Sequence, residues 1–464
     1  MEQLKKKYGL FTAICMVVGI VIGSGVFFKA QDVLKETNGN AVQGVISWII
    51  GGIIMIIMSA AFAVMATKYE KVNGIVDYAE AACGNKYAFL IGWFLTFIYY
   101  PAMTSVLAWV SARYTVVAIF GVTSVDPKAL YGPECITIAL LYLVLAYFIN
   151  TLAPRLAGRL QVSSTGIKLA VIFFIAIIGT FIGIFNGTLN ENFSFIGAAD
   201  SAISAPGEGG GFIAALCCTA FAYEGWVIAT SINSEIKDSK RNLPLALVIG
   251  AFIIMCAYVF YYVGVLGLAN TETLMNKGTN EAFLHFGKFG ATIVNVCVIV
   301  SCLGTLNGLM LGCSRVSYSI AARGEGISPE TFAQVDKKTN MPNNSAALGL
   351  LLCSIWFVYF VGGQFFGWFG DYAFDSSEIP IVTTYPLYIP ILIAFMIKEK
   401  EMPVFKRFVL PSLSIVGSLI MTAASILRHG ISNLYYLVIF AIIMGASFFF
   451  MSPKKHKNEE KNAE

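Results

Sequence analysis

Gly23-Ser24-Gly25 interrupts an apolar stretch, GIVIGSGVFF (residues 19–28), and Glu224-Gly225 interrupts a second, CTAFAYEGWVIATS (residues 218–231). Each interior glycine costs a helix about 1 kcal/mol relative to alanine. In an apolar surrounding, an interruption also frees backbone groups that must find partners inside the protein. The interruption supplies chemistry in return. Unwinding at Gly23-Ser24-Gly25 frees the amides of Ser24, Gly25 and Val26 at the start of a second helical half. There, N–H donors and the helix dipole hold an anion such as a carboxylate. The carbonyls ending the preceding half, near Val21 and Ile22, can accept from an ammonium. The second interruption offers the carbonyls of Phe221, Ala222 and Tyr223, beside the Glu224 side chain and Gly225. Donors for a carboxylate and acceptors for an amine in one short pocket fit an α-amino acid. Glycine suits both sites because a Cβ would block the approach.

Two charges fall deep inside apolar runs. Glu224 is a candidate selectivity group or proton carrier, or else a structural carboxylate bonded between helices, and burial would raise its pKa. Lys168 either snorkels to the surface or faces a cavity, and a desolvated lysine can carry a coupled proton. Arg315 and Arg323 are expected to pair near one membrane face with Glu235 or Glu325, and Arg113 to snorkel. Trp93, Tyr99, Tyr100, Tyr223 and Trp226 are candidate pocket walls or gates, Tyr223 and Trp226 foremost because they flank the second break. His285 and His429 lack metal-ligand spacing, so no metal site or cofactor is expected. The ten cysteines lie mostly in apolar runs, contain no CxxC pair and read as packing residues. No Walker motif, HExxH, GxSxG or catalytic carboxylate pair appears, which argues against an enzyme.

The elements that position these groups are membrane spans. Of the 464 residues, 57% are hydrophobic and 12% are charged, against about 25% charged in soluble domains. Apolar runs fall at about 10–29, 42–66, 87–119, 133–150, 161–186, 209–234, 243–268, 289–322, 344–363, 378–397, 408–427 and 432–451. The chain therefore reads as an all-α integral membrane protein with about twelve transmembrane helices. MEQLKKKYGLF lacks a small-residue cleavage site, so the first run is expected to be retained. Lys and Arg distribute as 22 in one set of loops and tails, from Lys5 to Lys461, against 6 in the other: Lys29, Lys35, Lys128, Lys277, Lys288 and Arg428. The positive-inside rule then places both termini in the cytoplasm. The small net charge of +4 suggests no nucleic-acid partner, and residues 452–464 read as a disordered tail. Two broken helices five spans apart are expected of an inverted-repeat transporter.

GSGVFF and FAYEGW resemble the amino acid–polyamine–organocation (APC) superfamily of permeases. STGIKLAVI, EIKDSKRNLPLAL and NGLMLGCSRVSYSIAARGEGISP are similar to its L-type amino acid transporter (LAT) branch in bacteria. The resemblance covers nearly the whole chain. It implies a LeuT-like fold of two inverted five-helix repeats, about 10–186 and 209–397, plus two further helices at about 408–451. It implies sodium-independent transport of L-amino acids by alternating access in the cell membrane, as an exchanger or proton symporter. By the resemblance, Gly23, Ser24 and Gly25 hold the substrate carboxylate. Val21, Phe221 and Glu224, the last as a backbone acceptor, hold the amine. Lys168 stands where sodium-coupled relatives bind sodium, its ammonium reaching Gly19 and, on the eighth span, Ser301. Position 224 varies in the family and is often glycine, so a glutamate here points toward a cationic substrate side chain. The loop at about 120–132 lacks the cysteine that joins animal relatives to a heavy chain, so no heavy-chain subunit is expected. The alternative cargo on the same fold is a polyamine or purine, for which Gly23-Ser24-Gly25 would have less to bind.

Overall fold

The computed structural model describes residues 9–69, 74–121, 127–130, 132–194, 211–230, 236–378 and 380–451. With no water in the bilayer core, each apolar run must close its own backbone hydrogen bonds, and a helix does so within one segment. Among the described residues the chain forms helices and no β-strand. The first span is a bent pair, α1 (Leu10–Val21) and α2 (Gly25–Glu36), meeting at 48°. Then follow α3 (Ala41–Lys68), a short α4 (Ile75–Cys83), α5 (Asn85–Phe120), α6 (Pro133–Leu152) and α7 (Pro154–Phe185). The sixth span is α8 (Gly211–Tyr223) and α9 (Trp226–Thr230). The rest are α10 (Ser239–Leu268), α11 (Gly287–Ala322), α12 (Asn343–Phe365), α13 (Ile381–Lys398), α14 (Phe405–His429) and α15 (Ser432–Phe450). Eleven helices are long and apolar enough to span a bilayer, or twelve spans with the bent pair taken as one.

Local chemistry explains the ends. Asn40 caps α3 by accepting from the Gln43 amide at 3.0 Å, and prolines open α6 and α7, where a missing N–H costs nothing. One boundary departs from the sequence reading. The first run was expected to end at residue 29, but α2 continues to Glu36 because Ala30, Val33 and Leu34 still form a buried face.

Several charges also sit elsewhere than expected. Lys29 and Arg428 belong to no surface loop: Lys29 is 1% exposed, and the Arg428 side chain 15%. Each faces carboxylates, without which burial of the charge would be prohibitive. Arg323 bonds Asp77 at 2.5 Å and Glu80 at 3.2 Å, both on α4, rather than pairing with Glu325. Arg113 lays its guanidinium 5.7 Å from the ring centroids of Phe28 and Trp109. Glu235 and the tail at 452–464 lie outside the described residues.

Packing places the broken spans at the centre. α2 lies against α8, α3 along α10 and α5 along α11, so the first span meets the sixth, the second the seventh and the third the eighth. The most apolar stretches of α5 and of Gly211–Ile228 are 89% buried, against 17% for α15, which therefore faces lipid. The backbones of α7 and α10 approach each other closely. A Cβ on Gly264 would lie 2.7 Å from the Ala176 Cα and 2.9 Å from the Ile175 carbonyl carbon. Gly179 and Gly183 on α7 face Gly264 and Gly267 in the same seam. Lipid offers no hydrophobic drive to join helices, so such small-residue contact is what holds them. Gly264→Val is expected to destabilise by about 1–3 kcal/mol through overpacking. A lowered melting temperature of the detergent-purified protein checks this, and an unchanged one would refute the seam.

Candidate functional site

Both breaks form, and they face each other. α1 closes with the Ile22 amide donating to the Val18 carbonyl at 2.9 Å, after which Ile22 is extended. The first bond of α2 runs from the Phe28 amide to the Ser24 carbonyl at 2.8 Å. The amides of Gly25, Val26 and Phe27 therefore have no helical acceptor. α8 ends at Tyr223, and Gly225 takes φ +105°, a conformation that excludes ordinary side chains. The missing side chains are also spatial requirements. A Cβ on Gly25 would lie 2.5 Å from the Ala222 Cα, and one on Gly23 would lie 2.9 Å from the Thr305 Oγ1.

A small cavity lies between the breaks. Of the residues singled out from sequence, Val21, Gly23, Ser24, Gly25, Phe221, Ala222, Glu224 and Gly225 line it. Ile22 and Tyr223 do not. The Ile22 carbonyl accepts from the Thr305 hydroxyl at 3.1 Å, and the Tyr223 hydroxyl donates to the Trp48 carbonyl at 2.7 Å. Trp226 stands off the cavity, packed 5.4 Å from Phe62 and 6.1 Å from Tyr388. The Ser24 hydroxyl is buried with no hydrogen-bond partner among the described residues. A hydroxyl in a cavity wall can donate to a ligand atom or accept from one.

Of the other aromatic candidates, Tyr99 of α5 lines the cavity, whereas Trp93 and Tyr100 do not; five residues that sequence reasoning missed complete the walls: Ile20 of α1, Met103 and Leu107 of α5, and Thr305 and Leu309 of α11. The Tyr99 hydroxyl donates to Glu224 at 2.5 Å, and Tyr385 of α13 is directed at the same carboxylate. A π turn at Leu95–Tyr99 sets the direction of Tyr99. Such turns shift helical register, and no sequence pattern marks this one.

α1 and the break that follows it are held by donors from three other helices. Lys168, fully buried on α7, donates to the Gly19 carbonyl and to the Thr305 Oγ1, each at 2.8 Å. Gln161 donates to the same Gly19 carbonyl at 3.2 Å. The expected Lys168 contact with Gly19 is present, whereas on α11 its partner is Thr305. Ser301, one turn earlier, donates instead to the Gly23 carbonyl at 3.4 Å. Tyr258 of α10 joins the breaks, its hydroxyl lying 3.2 Å from the Val21 carbonyl and 3.1 Å from the Ala222 carbonyl.

An amino acid permease family model matches residues 8–449. The chain belongs to the amino acid permease family. It is similar to the serine/threonine exchanger SteT of Bacillus subtilis, 28% identical over 92% of this chain and 93% of that protein. It is also similar to the mouse b(0,+)-type amino acid transporter 1, 25% identical over 97% and 88%, and to the human cystine/glutamate transporter, 26% identical over 73% and 65%. This bears out the resemblance carried by GSGVFF and FAYEGW. The permease's central joint can be tested on its own. Tyr258→Phe leaves two buried carbonyls without that donor, which costs about 1–3 kcal/mol. A lower melting temperature at unchanged expression is expected, and an unaltered one would mean that the bridge carries nothing.

Proposed function

We propose that this permease carries L-amino acids through the membrane by alternating access, without sodium, with the cavity between the two breaks as the substrate site. The observation that carries this reading is the pairing of opposite chemistries across one cavity. The α2 amides and the orphan Ser24 hydroxyl form an anion wall. The Val21 and Ala222 carbonyls form a cation wall, and the Glu224 carboxylate beside them faces the substrate's side chain. Each carbonyl has two lone pairs, so Tyr258 leaves one free on each for an ammonium. Gly23, Gly25 and Gly225 give the ligand access, and Phe221 closes one side. A polyamine would leave the anion wall empty, and the similar permeases are named for amino acids.

Lys168 supports sodium independence. Its ammonium already occupies the oxygens of Gly19 and Thr305 that a small cation between α1 and α11 would need. Exchange is the leading mode, in keeping with the Bacillus relative's name; in a proton symporter, Lys168 or Glu224 would carry the proton. The pairing of the first span with the sixth, the second with the seventh and the third with the eighth supports two inverted repeats, with α14 and α15 outside them. We place the protein in the cell membrane with both termini cytoplasmic, on the charge bias of its loops. It works without a disulfide-linked subunit: Cys135, next to the loop where such a bond would form, is fully buried.

The test is uptake of labelled amino acids into sodium-free proteoliposomes, with and without internal amino acid and with and without a proton gradient. Uptake that requires internal amino acid supports exchange. Gradient-driven uptake into empty vesicles supports symport. Failure of every amino acid, with uptake of a polyamine or purine, overturns the substrate assignment. Glu224→Gln is expected to weaken binding of substrates whose side chains donate to the carboxylate by about 10- to 100-fold, the value of a hydrogen bond to a charged group. Apolar substrates should lose little. Equal loss for both kinds would make Glu224 structural.

A further inference from the structure

Lys29 lies on α2 one turn beyond Gly25, and Phe221 links it to the cavity: its ammonium is 5.1 Å from the centroid of that cavity-lining ring. Its ion partner is Glu378, fully buried on the connection that precedes α13. Ser377 Oγ and an Asp32 oxygen each lie 3.5 Å from the ammonium, and an Asp375 oxygen lies at 3.7 Å. The other Glu378 oxygen accepts from Arg428 Nε at 2.6 Å, and Arg428 also pairs with Glu36, the last residue of α2. α2 is thus tied at two points, two turns apart, to one Glu378–Arg428 pair contributed by α14 and the α13 connection. Burial pushes the Glu378 carboxyl up, but the facing Arg428 and Lys29 charges overcome this and hold it well below the usual carboxylate range.

Such a cluster has two favourable conditions and a costly middle. Packed, every charge has a counter-charge; parted and wet, every charge has water. Removing one partner while the rest stay buried is strongly unfavourable. A metal reading of the same place fails. Cys217, Glu378 and His429 offer ligand atoms within 4.8 Å of one another, but two cations already occupy the Glu378 carboxylate.

We propose that Lys29, Glu378 and Arg428 form a latch that positions α2 over the substrate cavity, and that its separation opens the cavity to the face opposite the termini. These are positioning residues, acting through α2 and Phe221. The face named rests on the topology proposed above; the latch itself does not depend on which substrate is carried.

Two native thiols report on it. Cys217 and Cys218 of α8 are fully buried beneath the latch. A membrane-impermeant maleimide added to intact cells, followed by mass spectrometry of the purified full-length protein, gives their labelling rates. The wild type should label slowly. Lys29→Met combined with Glu378→Met removes one charge of each sign and leaves Arg428 paired with Glu36. It should raise labelling about tenfold or more, the effect of shifting a two-state equilibrium by about 1.4 kcal/mol. Arg428→Gln with Glu36→Gln cuts the second tie and should act in the same direction if the first pair of substitutions prevents folding. Lys29→Arg keeps the charge and should label as slowly as wild type. Folded double variants labelling at the wild-type rate, in cells and in inside-out vesicles alike, would overturn the latch. Fast labelling only in inside-out vesicles would overturn the face assigned to it. Labelling needs no substrate, so its failure is distinct from failure of the uptake experiment.

Discussion

A membrane interior supplies no water to a broken helix, and this permease is arranged around the debt created at residues 22–25 and 224–225. Ending α1 early exposes carbonyls, and starting α2 late exposes amides. The carbonyls are met from neighbouring helices: Lys168 and Gln161 at Gly19, Thr305 at Ile22, Ser301 at Gly23, and Tyr258 at Val21 and Ala222. The amides of Gly25, Val26 and Phe27 gain no comparable acceptor among the described hydrogen bonds. That asymmetry gives the cavity its sense. One wall has been quenched by the protein and retains only spare lone pairs, and the other still has donors to give.

The surrounding architecture follows from serving those groups. Donors come from α7, α10 and α11, so these helices must stay in register with α1. The glycine seam between α7 and α10 fixes two of them against each other at backbone distance. α5 contributes Tyr99 and is enclosed on nearly all sides, whereas α15 contributes nothing to the cavity and lies at the lipid boundary. Burial along the chain thus tracks distance from the breaks more closely than it tracks hydrophobicity.

Features that act locally were legible in the sequence. Glycines within a lipid-spanning run, a carboxylate beside a glycine and a lysine deep in a span each violate a rule of membrane helices, and the structure brings each to the breaks or into contact with the chain beside them. Features that depend on register across helices were not. Thr305 and Ser301 are one turn apart on the same face, and no one-dimensional pattern says which of them meets an ammonium on α7. Tyr99 is one of five aromatic candidates, but the π turn that brings it to Glu224 has no mark in the sequence, and Tyr258 looks like any aromatic in an aromatic-rich chain. Lys29 and Arg428 were misplaced for a physical reason: hydropathy ends a span at its first charge. A span can continue through a charge that brings its own counter-ion, and the counter-ions Glu378 and Glu36 are remote in sequence from one or both.

The Tyr258 hydroxyl stands between two carbonyls and owns a single proton. Shared between Val21 and Ala222, that proton makes a three-centre bond, weaker toward each carbonyl than an undivided one. The hydroxyl therefore acts as a gauge: both carbonyls must stay within reach of one oxygen, so the break in the first span cannot widen without loosening its hold on the break in the sixth.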